Sequence, residues 1–202
     1  INPDKISAGV VYYDGQFDDT RLAINTLQSA EEMGAIVLNY CAVTGLIKDT
    51  SGKVSGVKFI DEESNESYEI KGKQVVNATG VFADDVLKMD SPNAKKTIAP
   101  SQGVHLVLDK SFLPDNDAIM IPKTDDGRVL FLVPWHGRVV VGTTDTPIKE
   151  ESLEPIALEE EIEFILNTAA RYLKKAPKRS DVLSVFAGLR PLAAAAEGKK
   201  TK

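Results

Sequence analysis

Apolar residues recur along this chain at two different periods. In "FDDTRLAINTLQSAEEMG", residues 17–34, Ala23, Leu27 and Ala30 share one face with Leu22 beside them, which predicts a helix. Asp18 or Asp19 can cap its first turn, and Gly34 can close it in the left-handed conformation. "AIVLNY" (35–40) predicts a short buried strand. Three alternating runs follow, "AVTGLIKD", "KVSGVKFID" and "ESYEIKG", joined by Thr50-Ser51-Gly52 and Glu63-Ser64-Asn65. Their β-branched residues and polar tips predict an antiparallel meander. "KQVVNATG" predicts an apolar strand ending in small residues, and "VFADDVLKM" a short helix after it.

The pattern changes past the polar stretch "DSPNAKK". "GVHLVLD", "AIMIPK", "RVLFLVPW" and "RVVVGTTD", separated by turn residues, predict an antiparallel sheet of four strands or more. "LEEEIEFILNTAARYLKK" predicts a helix whose buried stripe is Leu158, Ile162, Ile165, Ala169 and Tyr172. Its acids lie early and its lysines late, as the helix dipole favours. "DVLSVFAGLRPLA" predicts a last strand running into a tight loop. Two halves of different character result: residues 1–90 mix helices and strands like part of an α/β domain, and residues 91–202 form an antiparallel sheet covered by a helix.

Composition narrows the function classes. The 202 residues are 43% hydrophobic and 27% charged, with 24 Lys+Arg against 30 Asp+Glu and a net charge of −6. An acidic balance argues against non-specific nucleic-acid binding, which needs clustered positive charge. The lone Cys41 makes no internal disulfide, and with two histidines there is no cysteine–histidine metal cluster to build, so no metal site is expected. No apolar run reaches the length of a membrane span. The opening Ile1 and the closing "AEGKKTK" lead to the expectation that the sequence is a piece of a longer protein.

Four places can carry chemistry. In "VVNATG", Ala78, Thr79 and Gly80 end a strand before a helix. Small residues there let a backbone approach a ligand closely, or simply make an ordinary tight turn. His105 sits in an apolar strand on the face opposite Val104, Leu106 and Leu108, either as a base in a cleft or as a hydrogen-bonded structural histidine. His136, in the turn "WHGR", reads as solvent-exposed. In "VGTTDT", Thr143, Thr144 and Asp145 converge where a sheet meets a loop, to bond a polyol or cofactor or their own backbone. Arg190 lies between Leu189 and Pro191 with few polar neighbours, so an internal carboxylate or an anionic ligand is expected to meet it.

Taken in order, "YYDGQFDDTRL", "VVNATG", "SQGVHLV", "LVPWHGRVVVGTTDT" and "FAGLRPL" resemble the FAD-dependent glycerol-3-phosphate dehydrogenases, over roughly residues 9–194. The related glycerol-3-phosphate oxidases share much of the pattern. The resemblance implies a two-domain flavoenzyme of mixed α/β and α+β class. Residues 1–90 would be the later part of a Rossmann-like FAD-binding domain, meander included. Residues 91–202 would be an antiparallel substrate-binding cap with covering helices, of which 186–202 lead back towards the FAD domain. The implied reaction oxidises the C2 alcohol of glycerol 3-phosphate to dihydroxyacetone phosphate with FAD as cofactor and quinone as electron acceptor. It implies a cytoplasmic protein held peripherally on the inner face of the cell membrane. His105 would be the base or polariser of the C2 hydroxyl, Arg190 the ligand of the anionic substrate and Thr143 a neighbour of substrate and flavin. Ala78, Thr79 and Gly80 would lie beside FAD.

The sequence departs from that family in parts. The Gly-x-Gly-x-x-Gly turn for the FAD pyrophosphate does not occur in these residues. Neither do the upstream arginine-bearing helix, the second substrate arginine and the downstream lysine. The expectation is therefore that these 202 residues alone hold no FAD and are inactive. Two other readings stay open. One is an oxidase or another flavoprotein of the same fold acting on an amine or amino acid. The other is a non-catalytic domain binding a phosphorylated polyol or a partner protein.

Overall fold

A computed structural model describes residues 8–124 and 127–195. The end of the stretch expected to lead back towards the first domain, residues 196–202, lies outside the described residues. The chain forms two compact units, one built on Val10–Asn77 and Val86–Asn93, the other on Ala78–Asp85 and the residues from Ala94 onward.

The first unit holds helix α1 (Asp19–Glu32) and strands β1 (Cys41–Lys48), β2 (Val54–Asp61) and β3 (Ser67–Lys71). Asp18 caps α1 by accepting the Arg21 N–H at 2.9 Å. Gly34, with φ 93°, turns the chain out of it, and Ala35 N–H reaches back to the Ala30 carbonyl at 3.0 Å. The three strands are an antiparallel meander in the order β1-β2-β3, as the alternation predicts. Asp49 shapes its first turn by accepting the Ser51 and Lys53 N–H groups at 2.8 and 3.0 Å.

Two expected strands do not form. Residues 35–40 and 73–79 are irregular, with Ile36 88% and Val76 80% exposed. Their apolar composition suits a buried strand, but a strand also needs a neighbour for its backbone groups, and no described strand pairs with either. The short helix after them does form, as a 3₁₀ turn at Gly80–Phe82 followed by α2 (Ala83–Asp90).

The second unit is built around β4 (Ile98–Asp109). Along one edge it pairs with β9 (Ser184–Ala193) through ten residues, from Ile98 opposite Ala193 to Val107 opposite Ser184. On its other edge lie β7 (Arg138–Gly142), opposite residues 105–109, and the two-residue β8 (Thr146–Pro147), opposite Ser101 and Gln102. Strands β6 (Leu130–Trp135) and β5 (Ile119–Ile121) extend the sheet beyond β7, and all pairs are antiparallel. One face is apolar: Val104, Leu106, Leu108, Leu130, Leu132, Val139 and Val141 are fully buried. Helix α3 (Glu159–Ala170) closes that face with Ile162, Ile165, Leu166 and Ala169, and Leu173 follows in the next turn. Leu158 and Tyr172, expected in the same stripe, end up exposed and half-buried because the helix proper starts after one and stops before the other. The opposite face of β4 carries Ser101, Gly103, His105 and Val107.

Candidate active site

His105 lies at the crossing of three strands, opposite Gly142 on β7 and Phe186 on β9. Its imidazole stacks on the Phe186 ring, with centroids 5.0 Å apart and planes 11° from parallel. It also fills the space a Cβ on Gly142 would need, so the ring lies over bare backbone. Half-buried and flanked by an aromatic ring, it is presented from the outer face of the sheet.

Arg190 starts on β9 opposite Ser101 and reaches across β4. It passes over Gly103, where an added Cβ would meet all three outer atoms of the guanidinium. On the far side, Nη1 donates to the Thr144 carbonyl at 3.0 Å and Nη2 to Thr143 Oγ1 at 2.8 Å. The internal carboxylate anticipated for it is Asp145, but only at 3.9 Å and half-exposed, a weak pair. Asp145 itself accepts a hydrogen bond from the Ser101 hydroxyl. Two of five guanidinium N–H groups are thus engaged with neutral acceptors, leaving donors for an anion from outside.

Beneath this layer, on the buried face, sits a carboxylate that sequence reasoning missed. Glu161, 5% exposed, is in the first turn of α3. Its Oε1 accepts from Thr144 Oγ1 at 2.9 Å and Thr146 Oγ1 at 2.6 Å. Its Oε2 accepts from Gln102 Nε2 at 2.7 Å and the Leu158 N–H at 3.0 Å. Burial pushes its pKa up, but the bonds from Thr146, Leu158, Gln102 and Thr144 outweigh that and leave it below the ordinary 4.5. The signal for it was the Thr-Thr-Asp-Thr run itself, whose alternation turns Thr144 and Thr146 inward; a buried acid to receive them was the missing half.

The structure brings His105, Arg190 and Thr143 together on the outer face around β4. Ala78, Thr79 and Gly80 are placed elsewhere in the same unit, at the entry to α2. That segment is tied to the start of β4 by Asp84, which accepts the Thr97 and Ile98 N–H groups at 2.9 and 3.0 Å. All three small residues are exposed; Gly80 has φ 59°, and a Cβ built on it would meet nothing within 4 Å. Bare, open backbone of this kind fits a flat or phosphate-bearing group laid against it. His136 is in an exposed turn with φ 44°, away from these groups. Among the described residues no group of three or more His, Cys, Asp or Glu is placed to hold a metal ion.

Residues 1–199 match the family described as FAD dependent oxidoreductase. The chain belongs to this family. It is 40% identical over 201 residues to the mitochondrial glycerol-3-phosphate dehydrogenase of Schizosaccharomyces pombe, covering 95% of this chain and 31% of that protein. The corresponding Saccharomyces cerevisiae protein is 42% identical, with 95% and 33% covered. The chain therefore spans about a third of the length of these relatives. Among solved structures, the FAD complex of the Bacillus halodurans glycerol-3-phosphate dehydrogenase matches with a TM-score of 0.80 and 36% identity, over 88% of this chain and 36% of that one. A glycine oxidase from Bacillus cereus, 21% identical with a TM-score of 0.63 over 85% of this chain and 43% of that one, shares the fold. The expected class, mixed α/β with antiparallel sheets, is the one the structure has and shares with the Bacillus halodurans protein. No helix among the described residues is long and apolar enough to cross a membrane.

Proposed function

We propose that the protein carrying this chain oxidises sn-glycerol 3-phosphate to dihydroxyacetone phosphate. In this reading residues 91–202 supply the substrate-binding face and residues 1–90 belong to the domain that holds FAD. The observation that carries it is an imidazole and a guanidinium, each laid over a glycine on one open sheet face. Gly103 and His105 are two residues apart on β4, about 6.6 Å along a strand. That spacing suits a short polyol phosphate, and the names of the relatives support the same substrate.

FAD, when bound, supplies the two-electron acceptor. The chain's own residues do the rest. The free N–H groups of Arg190 take the phosphate as charge-assisted donors. An imidazole nitrogen of His105 takes the C2 hydroxyl proton while the C2–H bond gives up its electron pair, leaving the ketone. Phe186 and the bare Gly142 backbone fix the ring plane for that transfer. Thr143 holds Nη2 and lines the same place. Ala78, Thr79 and Gly80 offer the cofactor open backbone.

The proposed electron acceptor is a quinone, with the protein cytoplasmic and attached peripherally to the inner face of the cell membrane. In the whole flavin-bearing protein, glycerol 3-phosphate is expected to reduce a soluble quinone, whereas glycine and proline do not. His105→Ala is expected to remove most turnover, and wild-type turnover in that variant sinks the base assignment. Peroxide released at the rate of turnover would make the protein an oxidase instead.

A further inference from the structure

Glu161 is a buried carboxylate whose partners among the described residues are all neutral donors. A buried charge is costly where packing alone is needed, and an apolar side chain would fill the same space without that cost. What the carboxylate does is join three separate pieces of chain. Gln102 comes from β4, Thr144 and Thr146 from the strand end after β7, and the Leu158 N–H from the start of α3. The Thr144 hydroxyl in turn accepts the Val104 N–H at 3.0 Å, and its carbonyl receives Arg190 Nη1. Three consecutive residues of β4 thus lie against this cluster from both faces. Ser101 bonds Asp145 on the outer face, Gln102 reaches Glu161 on the inner one, and Gly103 lies under the guanidinium.

We propose that Glu161 is a positioning residue of the anion site, fixing the Thr143–Asp145 strand end through Thr144 and so setting where the Arg190 guanidinium meets the substrate phosphate. Glu161 itself is buried among Gln102, Thr144, Thr146 and the Leu158 N–H, and acts only through them. The inference rests on the reading of Arg190 as the phosphate ligand.

Glu161→Gln keeps the shape but removes the charge, and its amide N–H₂ meets Thr144 and Thr146 only if their hydroxyls reverse to accept, which weakens the hold on the strand end. Thr144→Val removes the hydroxyl that links the carboxylate to the strand end, and Thr144→Ser restores it. The test uses the whole protein with its flavin bound. It measures KM and kcat for glycerol 3-phosphate, the calorimetric Kd of dihydroxyacetone phosphate, and the melting temperature. Glu161→Gln and Thr144→Val are each expected to raise KM and Kd about tenfold with kcat changed by less than about threefold. Thr144→Ser is expected to recover most of the lost affinity, and the double variant to lose no more than either single one, since both break one linkage. If Glu161→Gln does not fold, the Thr144 pair decides alone.

Arg190→Ala is the control. Should it weaken Kd while Glu161→Gln and Thr144→Val keep affinity within about twofold and only melt earlier, Glu161 is structural and the inference is overturned. Should Arg190→Ala itself leave Kd unchanged, the anion-site reading fails first and this inference falls with it.

Discussion

At Gly103 an added methyl would occupy the space of the Arg190 guanidinium, and at Gly142 that of the His105 imidazole. Neither glycine has a positive φ, so alanine is open to both backbones, and in each case the obstacle is a movable side chain. Substitution is therefore expected to move function more than stability. Gly103→Ala should raise KM for glycerol 3-phosphate about tenfold or more, as a displaced charge-assisted contact of about 1.5–3 kcal/mol implies. Gly142→Ala should lower kcat instead. Melting temperatures near wild type, set beside steady-state kinetics of the flavin-bound protein, check both; unchanged kinetics would mean that the guanidinium and the imidazole do not act from these places. In the sequence His105 and Arg190 stood out because a polar side chain in an apolar run asks for a reason. The glycines beneath them did not, since a residue with no side chain shows its purpose only when another side chain is seen lying on it. Phe186 read as one more apolar strand residue until its register opposite His105 was known.

Single elements were legible wherever the chain carries both the pattern and the partner. The meander and the β4–β7 region carry β-branched, partly alternating runs and find their neighbours in the same sheet. Helix α3 has its stripe and packs it against β4 and β7. Residues 35–40 and 73–79 have the pattern without a described partner, and pattern alone does not make a strand. Within α3, Ile165 is fully buried at the centre of the sheet-facing stripe. Ile165→Ala should cost about 2–5 kcal/mol by opening a cavity, measurable by denaturant unfolding. Glu161 adds an acid-sensitive element to the same helix. Its pKa is lower folded than unfolded, so its contribution is present above the ordinary 4.5 and lost as pH falls through the folded value. Unfolding followed from neutral pH downward should show stability dropping below about pH 4.5, with a shallower drop in Glu161→Gln. An identical acid limb in the two proteins would show that Glu161 has the same pKa folded and unfolded.

Taken as a whole, the 202 residues contain no Gly-x-Gly-x-x-Gly turn for a pyrophosphate. Expressed alone they are expected to purify colourless; a yellow flavin spectrum near one FAD per chain would refute that. The domain division expected near residue 90 rests on the change of pattern at "DSPNAKK" alone, because sequence periodicity does not reveal which elements share contacts. The larger sheet has one further property. Its central strand, β4, is also its first, and the partner along one full edge, β9, is its last. A ribosome delivers them far apart in time, and pairing so distant in sequence forms slowly. Until residues 184–193 emerge, the nascent chain shows an unmated edge ten residues long, the kind that invites pairing with other chains. The same strand brings Arg190. A chain released before β9 would therefore lose the Arg190 guanidinium and expose an aggregation-prone edge in one event.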